Sequence, residues 1–106
     1  MHFGLKQTTI EVINSVFVNH PEIEEAVLYG SRAKGNHRAG SDIDLTLKGV
    51  GLNTTILSKI NQEIDELNTP CLFDISIFEM LNSAALTDHI NRVGKLFYER
   101  PVSQKV

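Results

Sequence analysis

Apolar residues recur along the chain at two spacings, and the spacing changes several times. Ile10, Ile13, Val16 and Phe17 follow one another at intervals that share one helical face, so an amphipathic helix is predicted over about 7–19. His20-Pro21 closes that segment, because the residue before a proline is pushed out of the α region. The run EAVLY, from Glu25 to Tyr29, reads as a short buried strand. From Ile43 to Lys48 the spacing falls to two. Ile43, Leu45 and Leu47 alternate with Asp42, Asp44, Thr46 and Lys48, the pattern of a strand in a sheet covered on one face only.

Helical spacing returns in Ile56, Leu57, Ile60, Ile64 and Leu67, behind a cap at Asn53 or Thr54. Asn68-Thr69-Pro70 stops it. Leu72 to Phe78 predicts a further strand, in which Phe73, Ile75 and Ile77 oppose Asp74 and Ser76. A last helix carries Leu86, Ile90 and Val93, Gly94 ends it, and Lys95 to Tyr98 adds an edge strand. The alternation makes this an α+β (mixed α/β) chain. Helices are expected on one face of a small β-sheet and carboxylates on the other.

Size and composition narrow the possibilities. The 106 residues suit one domain, 1–106, with a frayed tail from about 101 to 106. No apolar run approaches the ~18–20 residues that span a bilayer, and the N-terminus lacks a signal-peptide pattern, so a cytoplasmic protein without membrane contact is expected. Cys71 is the only cysteine, which excludes an internal disulfide and a cysteine-rich metal site and leaves a buried, inert thiol as its expected role. A net charge of −3 argues against general DNA or RNA binding, which requires a basic face. The charge is nevertheless uneven. Arg32, Lys34 and Arg38 lie between Ser31 and Asp42 with no acid among them. A solvated loop and an anion-binding loop both fit that cluster.

Several familiar motifs fail on inspection. Gly30 to Gly35 opens like a phosphate-binding P-loop, but Asn36 and His37 stand where lysine and serine or threonine are required. Asp42-x-Asp44 begins like a calcium loop, yet Thr46-Leu47 replaces the next ligand and the obligatory glycine. Gly49-x-Gly51 lacks the third glycine of a dinucleotide fingerprint. The four histidines show no ligand spacing, and His37 reads as an exposed bystander.

What remains is a carboxylate constellation beside a glycine–serine corner. Two residues apart on a strand, Asp42 and Asp44 project from one face with α-carbons roughly 6.5–7 Å apart. Each could ligate one of two cations about 3.5–4 Å apart, the spacing of two-metal phosphoryl-transfer sites. Without a cation, carboxylates some 6 Å apart repel by about 3 kcal/mol at an effective dielectric near 20. Asp74 interrupts the apolar run CLFDISIF. A buried carboxylate there requires a metal or another cation; the competing reading is an aspartate facing water. Gly30 after a strand lets backbone approach a ligand, and Ser31 can cap a turn whose N–H groups point at an anion. Oxygen-only ligands favour Mg²⁺, with Mn²⁺ as the alternative, completed by substrate phosphates.

Gly30-Ser31, ten intervening residues, Asp42-Ile43-Asp44 and a later Asp74 resemble the nucleotidyltransferase signature of the DNA polymerase β superfamily. The fuller LYGSRAKG…GSDIDL is similar to the minimal nucleotidyltransferases, the MNT proteins, often encoded beside a HEPN-domain protein. The resemblance implies a nucleotidyltransferase fold with a mixed sheet. It implies that Gly30 and Ser31 hold the β- and γ-phosphates of a nucleoside triphosphate, with Arg32 and Lys34 as further cofactor-side contacts; the roles of Arg38 and His37 stay open. It also implies that Asp42, Asp44 and Asp74 are the catalytic and metal-binding carboxylates, with Asp74 also helping to deprotonate the acceptor hydroxyl. The expected activity is transfer of AMP from ATP to a tyrosine of a HEPN-type toxin, the chain acting as antitoxin. Two other readings accompany it: a non-catalytic module that neutralises its partner by contact, and one subunit of a split small-molecule nucleotidyltransferase.

Overall fold

The computed structural model describes residues 4–35, 42–69 and 72–101. Its elements follow one another as helix α1 (Gln7–Val18), strand β1 (Glu25–Tyr29), the single turn α2 (Ser31–Lys34), β2 (Ile43–Lys48), α3 (Thr54–Asp65), β3 (Phe73–Ile77), a 3₁₀ turn at Phe78–Met80, α4 (Ala84–Val93) and β4 (Lys95–Glu99). The strands form one sheet in the order β3-β2-β1-β4. β1 runs antiparallel to both β2 and β4, whereas β2 and β3 are parallel. The parallel pair is possible because α3 returns the chain across one sheet face, the connection that parallel neighbours need. Asn53 caps α3 by accepting from the Ile56 N–H at 2.9 Å, and Ser83 caps α4 from the Leu86 N–H at 3.1 Å. The first of these caps was expected; the 3₁₀ turn was not.

The main core lies between the sheet and helices α1 and α3. Ile13 and Phe17 of α1, Ile60 of α3, and Leu28, Ile43, Leu45 and Leu47 of the sheet are all fully buried. Each such side chain contributes about 1.5–3 kcal/mol through removal from water. Phe17 stands at the centre, edge-on to Phe97 with centroids 6.4 Å apart and tilted against Tyr98 at 5.5 Å. Two adjacent strand residues normally face opposite ways. Here the pairing of Ala26 with Tyr98 and of Val27 with Leu96 marks a bulge in β4, and the extra residue lets Phe97 and Tyr98 both join this core.

The opposite face is shared. Val27 and Tyr29, the alternate residues of β1, pack with Ile90, Leu86, Phe78 and Leu81 into a second cluster. Helix α4 therefore covers the β1 side of this face, while the carboxylates occupy the β2–β3 side. Burial on both sides explains why EAVLY is almost continuously apolar. Cys71, His37, Arg38 and the residues after Pro101 lie outside the described residues, as do the expectations attached to them. Among the described residues, no helix is long and apolar enough to cross a membrane.

Candidate active site

Tyr29, Asp44 and Asp74 form a row across three strands. Tyr29 is the register partner of Asp44 on β1, and Asp44 is that of Asp74 on β3. Residues opposite one another in neighbouring strands share a face, so two of the three carboxylates picked out in the sequence meet side by side. Asp42, exposed and directly ahead of β2, adds its charge to Asp44.

The burial of the trio differs from expectation. Asp74 was expected inside an apolar run, but it sits exposed on an edge strand. Asp44, on a central strand, is half-buried and carries the desolvation instead. Burial raises its pKa above the usual carboxylate range, the charges of Asp74 and then Asp42 raise it further, and His89 opposes them.

One row deeper, Thr46 is the register partner of Ser76. Thr46 is fully buried, and its hydroxyl accepts a 3.0 Å hydrogen bond from Ser76 Oγ. The Ser76 hydroxyl also acts on the Tyr29 hydroxyl. The carboxylates thus stand beside the Tyr29 hydroxyl and above the hydrogen-bonded Ser76–Thr46 pair. Burial raises the Tyr29 pKa; Ser76 lowers it, and the charges of Asp44 and Asp74 add to the rise. Tyr29 stays neutral at physiological pH.

The glycine corner joins this row directly. Gly30 follows Tyr29 with φ +80°, a conformation costly for any residue with a Cβ. A Cβ built there would also lie 2.5 Å from Asp44 Oδ2. The Gly30 carbonyl accepts from the Lys34 N–H at 3.2 Å and so opens α2. Ser31 begins that turn. Arg32 is buried, at 5% exposure, whereas Lys34 is exposed. Of the two cations suggested for phosphate, Lys34 alone is open to solvent.

Sequence reading missed His89 and the Tyr29–Ser76–Thr46 hydroxyls. The His89 ring meets Tyr29 edge-on, centroids 6.3 Å apart. The signal was present: His89 follows Leu86 by three residues on α4, hence on the face that Leu86 turns to the sheet.

Whether a divalent cation suits these residues can be judged from their charges. Burial and the charges of Asp74 and Asp42 hold Asp44 in a state that favours its proton, and a cation among them reverses that preference. Among the described residues, no group of three or more His, Cys, Asp or Glu side chains is arranged to hold a metal ion. Mg²⁺ takes only one or two carboxylates and completes its shell with water and substrate phosphates, a demand that the neighbouring Asp44 and Asp74 would meet. The donor set fits.

The family model described as polymerase beta, nucleotidyltransferase matches residues 11–102. The chain belongs to that family. The fold of this nucleotidyltransferase is also found in solved structures. A toxin–antitoxin crystallised with AMP-PNP matches with a TM-score of 0.67 at 19% identity, over 93% of this chain and 77% of that one. The complex of a tri-AMPylated Shewanella oneidensis HEPN toxin with an MNT antitoxin matches with a TM-score of 0.66 at 18% identity, over 90% and 73%. A candidate nucleotidyltransferase from Sulfolobus solfataricus gives 0.55 and 18%, over 92% of each chain. No curated protein is significantly similar to the chain in sequence. At these identities the likeness to solved structures is one of fold.

Proposed function

We propose that this nucleotidyltransferase transfers AMP from ATP to a tyrosine hydroxyl of a HEPN-type toxin, and so acts as its antitoxin. The observation that carries the reading is the in-register pairing of Asp44 with Asp74, beside a glycine whose missing side chain leaves room for the Asp44 carboxylate. The acceptor oxygen attacks the α-phosphorus, the bond from that phosphorus to the bridging oxygen breaks, and pyrophosphate leaves. Asp74 accepts the hydroxyl proton. Its exposure on an edge strand suits an acceptor delivered on another protein. Gly30 and Ser31 hold the β- and γ-phosphates at the end of β1, with Lys34 as an exposed cation nearby. Asp42, Asp44 and Asp74 would hold Mg²⁺, one or two carboxylates to an ion, and the bound metal would supply charge neutralisation at the phosphates and activation of the acceptor oxygen.

The similar folds of an MNT antitoxin complexed with a tri-AMPylated HEPN toxin, and of a toxin–antitoxin crystallised with AMP-PNP, support an adenine nucleotide as donor and a HEPN toxin as the acceptor protein. The test is incubation with labelled ATP, Mg²⁺ and the HEPN-type partner, followed by intact-mass analysis. A gain of one or more AMP units on the partner, lost with Asp42→Asn plus Asp44→Asn, is expected. Neutralisation of the toxin without any mass gain would refute transfer.

A further inference from the structure

The nucleotidyltransferase signature runs from Gly30 to Asp74, just after β1, at the start of α2, into β2 and on β3. Helix α4 contributes nothing to that signature, yet it lies over Tyr29 at the end of β1. Its inward face carries Leu86 and Ile90, which pack on Val27 and Tyr29. His89 sits between them at the margin, half-buried, with its ring edge-on to Tyr29. The neighbouring charges of α4 are already paired elsewhere: Asp88 accepts from Arg92 at 2.9 Å on the exposed side. Among the described residues, neither ring nitrogen of His89 has a hydrogen-bond partner.

Position selects what His89 can touch. Asp44 lies in the middle of the row, with Asp74 on its β3 side and Tyr29 on its β1 side. The acceptor approaches from the Asp74 side, at the open sheet edge. The glycine corner directly continues Tyr29, so the phosphates lie on the β1 side. His89 shares that side. It is among the groups that act electrostatically on Asp44, so it lies within reach of the carboxylate row.

We infer that His89 is a substrate-binding residue that donates a hydrogen bond to the departing β- and γ-phosphate oxygens, opposite the Gly30–Ser31 corner. This rests on the nucleotidyltransferase reading above. It assigns to α4 a second role beyond packing: the helix closes the phosphate side of the site. An imidazole N–H donates to an anionic oxygen whether or not the ring carries a positive charge, so the role does not depend on a change of protonation.

The experiment is calorimetric titration of the full chain with inorganic tripolyphosphate, ATP and AMP in Mg²⁺, for the wild type, His89→Ala and His89→Gln, alongside thermal melts. The expected result is about tenfold weaker binding of tripolyphosphate and ATP by His89→Ala, roughly 1.4 kcal/mol, with AMP binding unchanged. His89→Gln, which keeps a donor, should recover most of the loss. Unchanged tripolyphosphate binding in His89→Ala overturns the role of His89 while leaving the nucleotidyltransferase reading intact. An equal loss for all three ligands with a lower melting temperature overturns it too, since His89 is then only a packing partner of Tyr29. Failure of the wild-type chain to bind ATP or tripolyphosphate overturns both.

Discussion

The side chain that Gly30 lacks would occupy the position of the Asp44 carboxylate: a Cβ there falls 2.5 Å from Oδ2. Glycine is required at this corner twice over, once by its φ of +80° and once by the neighbour. Gly35 has a similar φ of +83° but nothing within 4 Å of its missing Cβ. The two glycines therefore separate backbone strain from displacement of a carboxylate. Gly35→Ala should lower stability by about 1–2 kcal/mol, the cost of left-handed backbone in a residue with a Cβ. Gly30→Ala should cost more and abolish transfer, because Asp44 must move. Chemical denaturation paired with the AMP-transfer assay checks both.

Asp44 is held against its preference for charge, so its removal should stabilise the fold while ending activity. Its folded-state pKa lies above the ordinary value because of burial first and the charges of Asp74 and Asp42 next. The stability linked to its proton is fully present below the unfolded-state pKa, near 3.9, and is lost as pH rises through the folded-state value. Above that folded-state value the wild-type chain lacks it. Asp44→Asn is expected to melt higher by roughly 2–4 °C at pH 7, solvent screening keeping the gain small. The gain should vanish below the unfolded-state value, as a melting series across pH would show.

Addition of Mg²⁺ is expected to raise the melting temperature of the wild-type chain, and more so with ATP present, because a ligand that binds only the folded state stabilises it by mass action. Asp42→Asn plus Asp44→Asn should remove the Mg²⁺ response. Equal shifts in the two proteins would mean that the ion binds elsewhere.

Both tyrosines of the chain are buried, and burial raises the pKa of each. At Tyr29 the two nearby carboxylates add to the effect; at Tyr98 the Arg100 charge opposes it. Stability linked to the phenolic protons is present below the unfolded-state pKa near 10 and lost as pH rises through the folded values. Ultraviolet titration should find no tyrosine ionising normally. Ionisation and loss of circular dichroism should coincide in base.

Phe17 contacts both β4 aromatics and is fully buried. Phe17→Ala should cost about 3–5 kcal/mol, a large share of the ~5–15 kcal/mol that holds a domain of this kind together. Urea denaturation would measure the loss. Phe17→Leu should cost less.

The order of elements, the two apolar faces of α1 and α3, the alternation of β2 and the glycine–serine corner were all legible in the amino-acid sequence. Each depends on the spacing of neighbours a few residues apart, and that spacing is set by helix and strand geometry alone. The pairing of Asp44 with Asp74, thirty positions along the chain, was decided by tertiary structure. So was the exchange of burial between them. Strand order β3-β2-β1-β4 puts Asp44 in the interior and Asp74 at the edge, and no local pattern encodes strand order. The apolar residues around Asp74 suggested burial, but they belong to the helix-covered face while the aspartate looks the other way. His89 reached Tyr29 for the same reason: α4 had a second apolar surface to cover, and the burial of Val27, Tyr29 and Ile90 together chose where it would lie.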